Sequence, residues 1–295
     1  MVTRLEDVAL VLEKTKRIFI EEMENKKVAV MLPVYKNDSP GYLAKAIESI
    51  LYQTYRNVHM YIGVDGPVGE ELHKILELLE RQNQVDIVWH PENRGLACVL
   101  NDLVAICKKE GYDYYARMDA DDISEKDRFE KQVAYLEGHL DVDVVGGAIE
   151  EIDGEGKKRC KHVEYPLTNE ECRKFFRYRD PLAHPAVMFR ASYFEKVAGG
   201  YRPEYRKNQD TMLWYDGFLN GCVFANIPDT VLYFRVNDDF YNRRNGWKRA
   251  KQMLADRLKM NKALGYDISA NLSAFAMFCM TVSPSWVKKF LYKIR

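Results

Sequence analysis

The chain has 295 residues, 47% of them hydrophobic, which is the composition of an ordinary globular protein with one large core or two smaller ones. Basic and acidic residues number 44 each, so the formal net charge is zero and no broad attraction to nucleic acid is predicted. The six cysteines form no CxxC pair and several lie in apolar runs, which indicates reduced, structural thiols.

The N-terminal segment, residues 1–25, is predicted to be an amphipathic helix. Its apolar side chains at helical spacing are Leu5, Val8, Leu12, Phe19 and Met23. It contains no basic stretch followed by an apolar core, and nowhere do about 18 apolar residues run together. We therefore expect a protein that is neither exported nor membrane-spanning, with a cytoplasmic address.

Apolar runs and amphipathic segments alternate as far as residue 118. The predicted strands are 28–34, 58–64, 85–89 and 113–118. One predicted helix starts at Ser39-Pro40, and two others extend over about 69–82 and over 95–109. This alternation implies right-handed crossovers and a mostly parallel, doubly wound α/β sheet with flanking helices. Sheets of this kind bind ligands at the carboxyl ends of their strands.

The alternation loosens after Asp122. The predicted elements are then a helix at 126–138, a strand at 142–149, a hairpin near Asp153-Gly154, a helix at 168–178, strands at 222–227 and 231–236, and a helix at 246–264. No internal repeat and no linker rich in Pro, Gly or Ser separates domains. We expect a single domain with a nucleotide-binding half and an acceptor half.

The strongest local signal is MDADD, Met118 to Asp122, directly after an apolar strand. Three carboxylates in four residues repel one another and lose solvation when buried, so a compensating divalent cation is expected. A solvated acidic turn is the simpler alternative. A calcium loop fails because Ile123 and Ser124 stand where an oxygen ligand and glycine belong. A haloacid-type phosphatase would carry its aspartates after the first strand, not this deep in the chain.

Three further polar residues lie at the ends of predicted elements, and each has two or more interpretations. Asp65, before Gly66, suits a contact to a nucleobase NH or an ordinary turn. Arg94, at the glycine-containing start of a helix, suits a phosphate contact or a solvated surface position. His184 suits a ligand, a phosphate contact or a core histidine. The first strand lacks the GxGxxG turn of a dinucleotide fold, which argues against nicotinamide and flavin cofactors.

These motifs together resemble glycosyltransferase family 2. From Val28 to about Tyr135 the matching segments are VAVMLPVYKND, AIESILYQTY, GVDGP, ENRGLACVLND and ARMDADDISEKDRFEKQ. Further on, DPLAHPAVMFR, AGGY, NQDTMLWYDGFLNG, IPDTVLYFRV and GWKRAK resemble the bacterial subgroup that builds capsular, O-antigen and exopolysaccharide repeats, the amylovoran-type transferases among them. The resemblance covers roughly residues 28–250.

The resemblance implies a GT-A fold over residues 26–240, with a nucleotide half at about 26–122, an acceptor half at about 123–240 and a helical extension at 241–295. It also implies the roles of the site residues. Pro33, Val34 and Tyr35 would line the nucleobase and ribose pocket, Asp65 would contact the base, Arg94 would lie by the base or diphosphate, Asp119, Ala120 and Asp121 would approach the ribose and the metal, and His184 would contact the nucleotide sugar.

Catalysis is implied in the same way. Asp121 is the firmer ligand, with Asp119, for a divalent metal such as Mn²⁺ or Mg²⁺, and Asp210 is the general base. The chain departs from the family pattern at Val64, where an acidic residue is common, and at Gln209, where Glu often precedes the aspartate. The first departure weakens any statement about base specificity, and the second removes a neighbour of the base.

The function implied is metal-dependent, inverting transfer of a hexose from a nucleotide sugar to a saccharide or lipid-linked oligosaccharide of the bacterial envelope. A UDP-sugar is the expected donor, with dTDP-rhamnose as an alternative. A metal-dependent phosphohydrolase and an inactive nucleotide-sugar-binding module are the other functions considered. The apolar stretch from Leu272 to Val282, followed by aromatic and basic residues as far as Arg295, predicts peripheral contact with an anionic membrane or a tail helix packed on the body.

Overall fold

The computed structural model describes residues 25–236 and 247–283. Its strands are β1 Val28–Val34, β2 Val58–Val64, β3 Val85–Trp89, β4 Tyr114–Arg117, β5 Ile123–Ser124, β6 Val144–Ile152, β7 Lys158–Val163, β8 Met188–Arg190 and β9 Phe224–Arg235. Its helices are α1 Pro40–Leu51, α2 Glu70–Leu79, α3 Leu96–Lys109, α4 Arg128–Gly138, α5 Asn169–Phe176, α6 Tyr193–Lys196, α7 Gln209–Leu219, α8 Trp247–Ala263 and α9 Ile268–Val282. The helix predicted over 1–25 lies outside the described residues, apart from residue 25.

Within the described ranges, one sheet has the order β3-β2-β1-β4-β8-β6-β9-β5, with β7 paired to β6. The strands β1 to β4 are parallel to one another, as the alternation of strands and helices predicts. The second half is mixed, because β8 runs antiparallel to both β4 and β6 while β6 and β9 are parallel. The α/β sheet with flanking helices is therefore confirmed, and its parallel character is strongest in the first half.

Each face of the central strand β1 packs into its own core, which explains its uninterrupted apolar sequence. Val30 and Leu32 pack with α1, α2 and α4, and Ala29 and Met31 pack with α3 and α7 on the opposite face. All four side chains are fully buried. Burying a side chain of the size of Val or Leu contributes roughly 1.5–3 kcal/mol, so this strand anchors both layers of helices.

The two strands expected at 222–227 and 231–236 are one strand, β9. The Pro228-Asp229 pair, which suggests a turn in the sequence, forms an exposed irregularity instead. Across it the pairing with β6 shifts from Gly147 opposite Ile227 to Ala148 opposite Thr230. A bulge of this kind accommodates a proline that has no amide hydrogen to give to the ladder.

The C-terminal extension is a helical hairpin of α8 and α9, joined by a turn with Gly265 at φ 69°. Asp267 caps α9 by accepting hydrogen bonds from the amides of Ser269 and Ala270. In the part of the chain described, no helix has the length and apolar character needed to cross a membrane. The five cysteines whose side chains are described are free thiols, as expected.

Candidate active site

The carboxyl ends of β1, β2 and β4 lie side by side at one edge of the sheet. Val34 at the end of β1 pairs with Val64 at the end of β2, and Met31 pairs with Arg117 at the end of β4. This register brings the segments after the three strands to one place: the 35–38 loop, Asp65 and the MDADD segment. Pro33 and Tyr35 are partly exposed there, whereas Val34 is 1% exposed.

Asp65 is buried, with 6% of its surface exposed, and it organises the loop before α3. Its Oδ1 accepts a hydrogen bond of 2.7 Å from the amide of Arg94, and its Oδ2 accepts one of 3.0 Å from the amide of Gly95. The Asn93 side chain adds a third donor at 2.9 Å. Gly66 has φ 85° and lies against the Asn93 backbone, where a Cβ would clash. The Asp65-Gly66 turn therefore fixes the loop that carries Arg94.

Arg94 pairs with Asp102 of α3, which also lies 2.8 Å from His90 Nε2. A second arginine approaches the same loop from the acceptor half: the Arg206 side chain lies over Gly95, and its Nη1 donates to Asn93 Oδ1 at 3.4 Å. Two guanidinium groups therefore flank the start of α3, where free amides favour anions. The contact of Arg206 joins residues 113 positions apart and has no signature in the sequence.

The three carboxylates of the MDADD segment lie within 4.8 Å of one another. Asp119 and Asp121 are partly exposed, and Asp122 is 1% exposed. Oδ1 of Asp122 accepts from the Arg235 amide at 2.8 Å, while its Oδ2 has no hydrogen-bond partner among the described residues. Burial raises the pKa of the Asp122 carboxyl well above its ordinary value, and the charges of Asp121 and Asp119 raise it further. A cluster of this kind is stabilised by a cation.

These residues fit a divalent metal. Every donor atom in the cluster is a carboxylate oxygen, the class preferred by Mg²⁺ and Mn²⁺, and one buried oxygen has its hydrogen-bonding capacity unused. A solvated acidic turn fits less well, because its carboxylates would be exposed to water, whereas Asp122 is buried.

Arginines from three different elements hold the acidic segment. Arg117, fully buried, pairs through Nη2 with Asp119 Oδ1 at 2.5 Å. Arg128 of α4 donates to the carbonyl of Arg117 at 2.9 Å, and burial lowers its pKa to about 9. Arg235 of β9 donates through Nε to the carbonyl of Asp121 at 2.7 Å. The sequence shows these arginines, but nothing in it indicates that they converge on one loop.

His184 belongs to the core beneath the site. Its Nε2 lies 2.9 Å from the Tyr201 hydroxyl, and its ring meets Trp214 edge-on at 5.9 Å. Burial lowers its pKa well below the ordinary value, and the charge of Arg117 lowers it further, so the ring is neutral. Of the three interpretations of His184, this environment favours the core histidine. Its contact with a nucleotide sugar stays a prediction.

Asp210 is the second residue of α7, following Asn208 in the left-handed conformation at φ 62°. Its Oδ1 accepts from the Thr211 amide at 2.8 Å. Burial raises the pKa of the Tyr201 hydroxyl, Arg117 opposes the shift, and the charges of Asp210 and Asp119 add to it. The charges of Asp210 and Asp119 thus both reach the Tyr201 hydroxyl, so the predicted base lies in the same region of the protein as the acidic cluster.

The other two acidic candidates of the acceptor half are paired with arginines. Asp216 accepts two hydrogen bonds from Arg202, at 2.7 and 2.5 Å. Asp180 pairs with Arg257 at 3.1 Å and accepts from the Thr211 hydroxyl at 2.7 Å. These contacts give both carboxylates a structural role, because each one holds an arginine of a neighbouring segment in place.

A sheet of parallel strands ending in an acidic cluster, with a mixed second half beside it, is the architecture of the GT-A fold. The solved structure of S. aureus TarS 1-349 in complex with UDP-GlcNAc has this fold, with a TM-score of 0.59 over 81% of this chain and 70% of that one, at 15% identity. Residues 29–197 match the model for glycosyl transferase family 2, and the chain belongs to that family.

Curated relatives extend over most of the chain. The amylovoran biosynthesis glycosyltransferase AmsE of Erwinia amylovora is 32% identical over 90% of this chain and 97% of its own length. The Escherichia coli UDP-Gal:alpha-D-GlcNAc-diphosphoundecaprenol beta-1,3-galactosyltransferase is 30% identical over 76% of this chain and 79% of its own. The chain is thus a glycosyltransferase, and its resemblance to the bacterial polysaccharide subgroup is confirmed.

Proposed function

We propose that this enzyme is a metal-dependent, inverting glycosyltransferase that moves a hexose from a UDP-sugar to a lipid-linked saccharide of a bacterial envelope polysaccharide. The observation that carries the proposal is the cluster of three carboxylates at the carboxyl edge of the sheet, within 4.8 Å of one another. The E. coli relative named for a UDP-Gal donor and a diphosphoundecaprenol-linked acceptor supports the two substrate classes. A dTDP-sugar donor is the alternative.

The donor would lie along the edge formed by β1 and β2. Pro33, Val34 and Tyr35 would line the base and ribose, with Asp65 beside the base. Since Asp65 already accepts hydrogen bonds from the amides of Arg94 and Gly95, its main contribution would be to hold that loop in place. Arg94, together with Arg206, would then face the diphosphate or the base with positive charge.

Asp121 and Asp119 would hold Mn²⁺ or Mg²⁺, with Ala120 between them close to the ribose. The cation would neutralise charge that builds on the departing nucleoside diphosphate. Arg117 restrains Asp119 through their 2.5 Å contact, and Arg235 restrains the backbone of Asp121. These contacts would hold the two proposed ligands in position before the donor arrives, which would lower the cost of organising the site.

Asp210 would take the proton from the acceptor hydroxyl. As the hydroxyl oxygen forms its bond to the anomeric carbon, the bond from that carbon to the diphosphate oxygen breaks and the nucleoside diphosphate leaves with its electron pair. Attack from the face opposite the leaving group inverts the anomeric configuration, so an α-linked donor gives a β-linked product.

We also propose that the enzyme works at the inner face of the cytoplasmic membrane, where a lipid-linked acceptor would be found. The aromatic and basic residues 284–295, expected to contact an anionic membrane, lie outside the described residues.

A thermal-shift screen with Mn²⁺ and nucleotide sugars tests the proposed function. We expect UDP and one UDP-sugar to raise the melting temperature only when Mn²⁺ or Mg²⁺ is present, and the same sample to hydrolyse that donor slowly. Stabilisation without any turnover would indicate an inactive binding module. Absence of stabilisation together with phosphate release from phosphomonoesters would indicate a phosphohydrolase.

A further inference from the structure

The charges of this chain are divided between two regions. Residues 241–295 contain 12 of the 44 basic residues and 2 of the 44 acidic ones, which gives this extension a formal charge of +10. The remaining 240 residues therefore carry −10, and the net charge of zero conceals the division. A strongly basic segment attached to an acidic body has a preferred partner, an anionic surface.

Helix α9 within this extension has its larger side chains outward. It contains no charged residue, and the side it turns to the protein buries Ala270 and Ala274. The opposite side exposes Ile268, Leu272 and Phe275, at 75%, 66% and 56% of their surface. Water-facing sides of helices are normally polar, and a contiguous exposed apolar stripe marks an interaction surface.

Aromatic and basic side chains of α8 border this stripe. Trp247 is 62% exposed and meets the ring of Phe278 edge-on at 5.7 Å. Phe278 in turn stacks on Phe275 at 6.0 Å, and the Lys251 ammonium lies 6.0 Å from the Trp247 ring. Exposed Trp beside Lys and an apolar stripe is the combination found where proteins meet the interface of a bilayer.

We propose that the outer side of the α8 and α9 hairpin docks on an anionic lipid bilayer. The hairpin would lie in the plane of the interface, because α9 has 15 residues and a span needs about 20. Basic residues 288, 289, 293 and 295 follow α9 directly in the sequence and strengthen the attraction to anionic lipid. A second copy that docks through the same extension is the weaker occupant, since two extensions of formal charge +10 repel each other.

The role of this docking, which is to keep the active site near a lipid-linked acceptor, rests on the proposed function. The docking itself does not. The surface is formed by described residues of α8 and α9, whereas the terminal residues 284–295 lie outside the described residues. Its residues are far in sequence from Asp121 and Asp210, so its loss is expected to leave transfer to a water-soluble acceptor intact.

Vesicle flotation of the full-length chain tests the docking. The probes are vesicles of phosphatidylglycerol and phosphatidylethanolamine, and vesicles of phosphatidylcholine alone. The test variant is L272Q/F275Q, and the matched control is L78Q/L140Q, which changes two leucines that are 61% and 75% exposed on the catalytic body. We expect the wild type and the control to float with anionic vesicles, and L272Q/F275Q to show about a tenfold lower bound fraction with an unchanged melting temperature.

Equal flotation of L272Q/F275Q and the control would overturn the proposal. Equal binding of the wild type to both vesicle types would overturn its anionic part. A wild-type dimer that becomes a monomer in L272Q/F275Q, with flotation unaffected, would make a second copy the occupant. Flotation uses neither donor nor acceptor, so an inactive enzyme that still floats would refute the proposed function and leave the docking intact.

Discussion

Carboxylates are arranged differently at the proposed donor edge, where β1, β2 and β4 end, and in the proposed acceptor half, residues 123–240. At the donor edge, Asp119, Asp121 and Asp122 lie within 4.8 Å of one another in one loop. In the acceptor half, Asp180 and Asp216 are far apart in the sequence and each pairs with an arginine. The first arrangement gathers three carboxylates at one point, and the second distributes them in separate ion pairs. Clustered carboxylates of this kind point to a bound cation, whereas separate pairs point to structure.

Replacing one arginine in each of the two regions tests this comparison. We expect Arg117→Met to lower the free energy of unfolding by about 2–3 kcal/mol, less than the loss of a fully buried pair, because Asp119 can regain water. Because Asp119 is no longer restrained by Arg117, the variant should also bind UDP about tenfold more weakly in the presence of metal. Arg202→Met breaks the pair with Asp216 and should cost stability alone. Urea unfolding and calorimetry with UDP and Mn²⁺ measure both quantities.

An equal loss of UDP affinity in the two arginine variants would break the comparison, because it would mean that the acceptor half also organises the donor site. Arg81→Met changes an exposed arginine and serves as the control for loss of charge. It should stay within about 0.5 kcal/mol of the wild type, as surface substitutions generally do.

Two glycines with positive φ give a smaller contrast. Gly95 at the donor edge has φ 93° and the Arg206 side chain over it, while Gly221 in the acceptor half has φ 69° and open space around it. Alanine at either position should cost about 1–2 kcal/mol of stability from backbone strain. Only Gly95→Ala should displace Arg206 and weaken UDP binding, by about threefold, in a calorimetric titration. Unchanged UDP binding in Gly95→Ala would show that Arg206 has no part in the donor site.

The sequence predicts the donor edge well because its signals are local. The apolar runs of β1, β2 and β4 give the strands, and Asp65 and the MDADD segment follow strands directly, so parallel pairing brings them together. Thr168 and Glu171 form the capping box that starts α5, close to the predicted start of that helix.

The sequence predicts the long-range contacts poorly, for a physical reason. Arg206 and Arg235 contact residues that lie 113 and 114 positions away, and an arginine in a sequence looks the same whether it is buried or solvated. The Pro228-Asp229 pair suggests a turn, yet the neighbouring strand β6 supplies enough pairing to keep β9 continuous. Which side of α9 is exposed likewise depends on how the helix packs on the protein, and the sequence alone does not show that packing.

Calorimetry and transfer assays on Asp121→Ala and Asp210→Asn test the central claim most directly. Asp121→Ala should lose metal-dependent binding of UDP and transfer together, since the metal ligand is removed. Asp210→Asn keeps the shape of the side chain, so UDP and Mn²⁺ affinity should stay nearly unchanged while transfer falls on the order of 100-fold, the worth of a positioned general base. Equal loss of UDP binding in both variants, or near-normal transfer by Asp210→Asn, would contradict this division of roles.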